Sequence, residues 1–290
     1  MEALRTLRTT DHATLGYRLF RGSPTPRRLI VLLHGVASNM TRWSEFAEQT
    51  TLKTSWDILR PDLRGHGESF ARGALGMDIW CRDLRDILDA EGYDQALLIG
   101  HSLGAQVAVQ FAARYPARVR GLVLIDPIFH RALRGVLRAI SRLRPAVSLL
   151  VALIRLLNAL GLRRRHIPGR DLRQLDEATR ANLLRAGKQR EMIELYSSPW
   201  VDLKFFPTAS FLQELIEITR PLPPLAQIVI PVLVLLSSGV TYTDPGVTHR
   251  MLAGYPRAQT ATIDAYHWPL TESPEQVRTA IERWCARFPP

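Results

Sequence analysis

Cysteine is scarce in this 290-residue chain, which carries two, Cys81 and Cys285. They stand far apart and without metal-ligand spacing. Neither a disulfide framework nor a thiolate metal site is indicated, and two reduced, buried thiols in a cytoplasmic protein are the expectation. The opening residues, Met1 to Thr10, lack the apolar segment of a secretory signal. A dinucleotide fingerprint, a phosphate-binding loop and a metal-ligand cluster are also missing, so no cofactor and no metal are expected. No internal repeat or low-complexity tract occurs. Apolar residues, 46% of the chain, suffice for a large buried core.

Carboxylates are outnumbered. The 27 acidic and 38 basic side chains leave a formal charge of +11. Much of the excess falls between His130 and Arg190, including Arg163-Arg164-Arg165-His166. No nucleic-acid motif accompanies this charge and aromatics are not interleaved with it, so a nucleic acid is not an expected partner. A solvated arginine-rich surface is the plain reading; attraction to an anionic membrane surface or an acidic ligand is the next. Long apolar runs are missing too. The most apolar segment, Pro145 to Leu162, is interrupted by Arg155 and Asn158 and followed by arginines. It is expected as a helix covering a hydrophobic pocket, with a membrane-apposed lid as a variant, rather than as a transmembrane span.

What is present is alternation. Up to Asp126, short apolar runs alternate with helical stretches, the pattern of βαβ units on a parallel sheet. Strands are predicted at Leu15 to Phe20, Leu29 to Leu33, Trp56 to Leu59, Ala96 to Ile99 and Leu122 to Ile125, with a turn at Gly22 to Pro26. Helices are predicted from Met77 to Glu91 and from Leu103 to Tyr115, the second ended by Pro116. From Pro127 to Gln227 the chain reads as helical, without a strand. Strands resume at Ile228 to Leu236 and near Gln259 to Ile263, and a last helix runs from Pro274 to Phe288. The fold class is therefore α/β: a core of residues 1–126 and 228–290, interrupted by a helical cap or lid at 127–227.

Chemistry centres on Gly100-His101-Ser102-Leu103-Gly104, a G-x-S-x-G directly behind an apolar strand. That motif sets a serine on a sharp strand-to-helix turn, with its hydroxyl pushed out above the sheet. A serine hydroxyl needs a base at neutral pH, and His267 is the candidate, in the loop after the last predicted strand. An oxyanion hole needs two N–H donors: Leu103 follows the serine, and Val36 leaves the strand Leu29 to Leu33. His34, beside it, reads as a structural hydrogen-bonder.

Four pieces in this order resemble the α/β-hydrolase superfamily: His34-Gly35 with Trp43 beyond it, Asp62 to Ser69, Gly100 to Gly104, and His267-Trp268-Pro269. They span nearly the whole core, whereas the insertion matches by position only. The resemblance implies an α/β-hydrolase fold, a mostly parallel central sheet flanked by helices. It makes the loop from Arg64 to Ser69 structural and implies acyl chemistry through an acyl-serine. Members that attack with an aspartate at the elbow are excluded by Ser102.

The acid of the triad departs from the family pattern. Its usual place falls at about Val240 or Thr241, and neither carries a carboxylate. Asp126, after the strand Leu122 to Ile125, is the first candidate. Asp244 is the alternative if the loop reaches back; Asp264, or no acid, is the remaining reading. The implied function is a serine esterase or lipase-like hydrolase of small-molecule esters with hydrophobic acyl groups. Trp200, Phe205, Phe206 and Phe211 supply aromatic material for an apolar pocket. A lactonase, a thioesterase or a carbon–carbon bond hydrolase of ring-cleavage products would use the same groups. A ligand-binding protein that keeps the fold without turnover is the reading from another class.

Overall fold

A computed structural model of the protein describes residues 2–22, 28–239, 242–253, 255 and 257–288. Eight strands form one sheet: β1 (Glu2–Arg8), β2 (Thr14–Phe20), β3 (Leu29–Leu33), β4 (Asp57–Pro61), β5 (Ala96–His101), β6 (Val119–Ile125), β7 (Val232–Ser237) and β8 (Ala258–Ile263). Their spatial order is β1-β2-β4-β3-β5-β6-β7-β8. The pairs β1–β2 and β2–β4 are antiparallel, and all the others are parallel. Parallel strands are buried on both faces, which is why β3 and the first four residues of β5 read as unbroken apolar runs.

Three helices precede β6 in the core: α1 (Ser44–Gln49), α2 (Met77–Glu91) and α3 (Leu103–Arg114). Six follow between β6 and β7: α4 (Gly135–Arg142), α5 (Arg144–Ala159), α6 (Leu172–Thr179), α7 (Gln189–Tyr196), α8 (Pro199–Phe205) and α9 (Thr208–Ile218). Then come α10 (Pro245–Ala253), α11 (Pro269–Glu272) and α12 (Pro274–Cys285). Side chains alternate along each strand, so β3 sends Val31 to the layer with α2 and α3, and Ile30 and Leu32 to the layer with Trp43 and α12. Cys81 lies in the first layer and Cys285 in the second, both free and buried. The sheet separates the two thiols.

The structure departs from the sequence expectation at the ends of the sheet. Strand β1 carries no periodic signal because most of its residues are exposed at the sheet edge. The run Ile228 to Leu236 becomes a strand only after Pro231, which has no N–H to give a ladder. Before it, the carbonyls of Ile228 and Ile230 accept from the Tyr255 hydroxyl instead. Most of the turn expected at Gly22 to Pro26 lies outside the described residues. No helix among the described residues is long and apolar enough to cross a membrane.

Candidate active site

Ser102 sits between the end of β5 and the start of α3 with φ 52° and ψ −113°. A left-handed, non-glycine residue of this kind costs about 1–3 kcal/mol and persists only where its surroundings impose it. Its neighbours do so by packing flush. A Cβ on Gly100 would lie 2.3 Å from the backbone of Gly104, and one on Gly104 would lie 2.3 Å from the Leu33 carbonyl. Helix α3 therefore presses directly on the strand ends, and Ser102 N–H donates to the Ile125 carbonyl at 2.9 Å.

The turn after β8 brings His267 to this elbow. Its Nε2 is 3.2 Å from Ser102 Oγ. The carboxylate of Glu272, on α11, accepts from the N–H groups of Tyr266 at 3.0 Å and Trp268 at 3.1 Å, holding the turn on both sides of the histidine. His101 donates from Nε2 to the His267 carbonyl at 2.8 Å. Burial, reinforced by His101, holds the His267 imidazole well below the usual histidine range, so the resting ring is neutral and able to take a proton. Burial likewise brings His101 down to about 4.

Asp126 follows β6, itself at φ 44°, and its Oδ2 is 3.7 Å from His267 Nδ1. That separation is longer than a hydrogen bond; such contacts commonly tighten when substrate is bound. Ser237, at the end of β7, donates both its N–H, at 2.7 Å, and its hydroxyl to the carboxylate. Burial pushes Asp126 up to about 7, while the two Ser237 bonds pull it down.

The other two carboxylates are not brought to the histidine. Asp244 accepts from Val247 N–H at 3.0 Å at the start of α10 and faces Arg134 at 3.9 Å. Asp264 is exposed, and Ser238 Oγ lies 3.4 Å from it. Val240 and Thr241 lie outside the described residues.

The turn after β3 meets the elbow from the other side. A Cβ on Gly35 would be 3.4 Å from that of Ser102. Val36 lines the cavity over the serine, and among the described residues no hydrogen bond occupies its N–H. The next N–H, of Ala37, is taken by Glu214 at 3.0 Å. Leu103 is the first residue of α3, where a helix N–H has no partner within the helix. His34 Nε2 accepts from Leu63 N–H at 3.0 Å, a bond within the scaffold. Arg64 pairs with Asp83 and Asp11, likewise away from the serine.

The cavity measures about 140 Å³ and is mostly apolar, with Val136, Leu137, Phe211, Leu215 and Ile218 in its wall. Of the four aromatics named from sequence, Phe211 lines it. Phe206 packs on His66, Phe205 lies under Arg170, and Trp200 is exposed. Residues that sequence reasoning missed are Ser237, Glu272 and Tyr242, whose ring meets His267 edge-on at 4.9 Å. A serine at a strand end and a glutamate in a short helix carry no signal until the chain folds back. Donor atoms of His101, Asp126 and His267 lie within 4.8 Å of one another. Each already contacts Ser102, Ser237 or the His267 carbonyl.

Known proteins share this framework. The alpha/beta hydrolase fold family model matches residues 28–274. The sn-1-specific diacylglycerol lipase ABHD11 of Mus musculus is 24% identical over 278 residues, covering 94% of this chain and 85% of that protein. Lipase LipV of Mycobacterium tuberculosis is 33% identical over 132 residues, 46% of this chain and 47% of that one. An uncharacterized Mycobacterium tuberculosis protein is 32% identical over 130 residues, and that match spans only 38% of its length. Among solved structures, a thermophilic esterase from Thermogutta terrifontis superposes with a TM-score of 0.68 at 24% identity, covering 99% of this chain and 98% of that one. The enol-lactonase from Burkholderia xenovorans superposes with 0.71 at 17% identity over 97% of this chain and all of that one.

Proposed function

The chain belongs to the alpha/beta hydrolase fold family, and from that premise we propose that it hydrolyses carboxylic esters with hydrophobic acyl groups through an acyl-serine. One observation carries the reading: Ser102 Oγ lies 3.2 Å from a buried, neutral His267 whose other ring nitrogen faces Asp126. In this mechanism His267 takes the Ser102 proton as Oγ attacks the ester carbonyl, and the new oxyanion is held by the N–H groups of Val36 and Leu103. Asp126 orients the imidazole and stabilises its protonated form. His267 then gives the proton to the departing alkoxide and activates the water that releases the acid. This route needs no cofactor. Helices α4 to α9 act as the cap whose apolar wall receives the acyl chain. The lipase and esterase names among the relatives support acyl hydrolysis.

A chain-length series of p-nitrophenyl esters, run beside thioester and lactone substrates on wild type and Ser102→Ala, tests it. Ester turnover is expected, lost in Ser102→Ala. The apolar wall predicts that kcat/KM rises with acyl length, by about 0.8 kcal/mol for each methylene buried, until the cavity is filled. Preference for lactone or thioester would move the substrate class. A folded protein that no fluorophosphonate labels at Ser102 would be a binder rather than an enzyme.

A further inference from the structure

Helix α5 turns one side to the protein, where Val151 packs against Ala209 and Ile216 of α9. Its other side is leucine and open to solvent. Leu149, Leu153 and Leu156, continued by Leu160 at its end, recur at helical spacing and are 73%, 50%, 58% and 71% exposed. A contiguous apolar stripe of this kind marks an interaction surface rather than an ordinary solvated face.

The charge around the stripe says what fits it. From Pro127 to Arg170 the sequence holds ten arginines and no aspartate or glutamate. Just beyond α5, Arg72, Arg163 and Arg165 gather around a surface recess with Phe70 and Gly161. Among the described residues none of these three arginines has a carboxylate partner. Helix α4, which touches α5, contributes Val136 to the cavity over Ser102, and Val136 is itself 61% exposed. Part of the rim of that cavity, Ile128, Val136 and Leu137, therefore belongs to the same acid-free segment.

We propose that α5 and the arginines beyond it form a docking face for an anionic phospholipid bilayer. The leucines enter the acyl region while the guanidinium groups meet lipid phosphates, the division of labour of an interfacial amphipathic helix. A second copy of this chain fits less well, because two such faces would oppose like charges with no acidic residue in the segment to offset them. A nucleic acid would use the arginines and leave the leucines in water. Docking does not depend on hydrolysis, so it stands or falls apart from the ester reading.

Flotation with vesicles of equimolar phosphatidylcholine and phosphatidylglycerol, against phosphatidylcholine alone, tests the proposal. Wild type and Ser102→Ala are both expected to float with the anionic vesicles, to leave phosphatidylcholine alone, and to be released by salt. Arg163→Gln with Arg165→Gln is expected to weaken partition about twenty-five-fold, from about fivefold for each basic side chain at an anionic surface. Leu149→Glu with Leu160→Glu, at the two most exposed positions, is expected to weaken it more than tenfold with an unchanged melting temperature. No flotation with anionic vesicles overturns the proposal. So does flotation that the leucine variant leaves intact. Sedimentation velocity showing that the same leucines hold two copies together, in a protein that ignores vesicles, would assign the face to self-association instead.

Discussion

At the scale of single residues, the candidate site holds three groups in unusual states. Ser102 is strained, His267 is kept neutral by burial, and Asp126 is kept partly protonated by the same cause. Asp126→Asn is expected to lower kcat by about 10⁴ while the protein stays folded, because the imidazole then loses both its orientation and its counter-charge. Asp244→Asn should leave kcat nearly unchanged, since Asp244 serves the start of α10. Steady-state kinetics of the two variants decide between the carboxylates.

The pH dependence follows from the directions of the shifts. In the proposed mechanism turnover needs neutral His267 and ionised Asp126, and the first condition already holds below neutrality. The kcat/KM profile is therefore expected to rise through about pH 7, where Asp126 ionises, and to level above it. Stability runs the other way. The folded carboxyl keeps its proton up to about 7, against an ordinary 3.8, so its stabilising contribution is full below 3.8 and is lost as pH rises through 7. Melting temperatures should accordingly show Asp126→Asn faring better relative to wild type at pH 8 than at pH 4.

At the scale of elements, helix α9 couples the 127–227 segment to the turn after β3. Its Glu214 accepts from Ala37 N–H and stands 3.1 Å from His66, with both side chains buried. Burial alone would lower His66, but the Glu214 carboxylate outweighs it and raises the imidazole above its ordinary value. Removing one partner of such a pair leaves a buried group uncompensated, so Glu214→Ala is expected to lose about 3–5 kcal/mol in denaturant unfolding. It should also loosen the backbone next to Val36, and kcat should fall further than the change in stability requires.

At the scale of the whole molecule, the sheet divides two cores, each holding one cysteine. Burial pushes both thiols up to about 12, so neither is a ready nucleophile. A thiol-reactive chromophore is expected to leave the native protein untouched and to titrate two thiols once it unfolds. Fast reaction of either in the native state would contradict the packing. The same architecture puts Val36, Ser102 and His267 beyond the carboxyl ends of the parallel strands β3, β5 and β8, the edge where open α/β sheets assemble ligand sites.

The sequence by itself determined what depends on local pattern. Apolar runs mark β3, β5 and β6, periodicity marks α2 from Met77 to Glu91, and G-x-S-x-G marks the elbow, because each is written within one stretch of chain. It also ranked the candidate acids, with Asp126 first and Asp244 as the alternative. Their positions relative to His267 are tertiary. Asp126 stands 3.7 Å from His267 because β6 and β7 pair in parallel and Ser237 turns its N–H and hydroxyl onto the carboxylate, while the start of α10 engages Asp244. The cavity wall was decided the same way, since composition named four aromatics and packing chose Phe211 among them. Contacts between residues more than a hundred positions apart leave no periodic trace in the chain, and only their packing in the fold selects them.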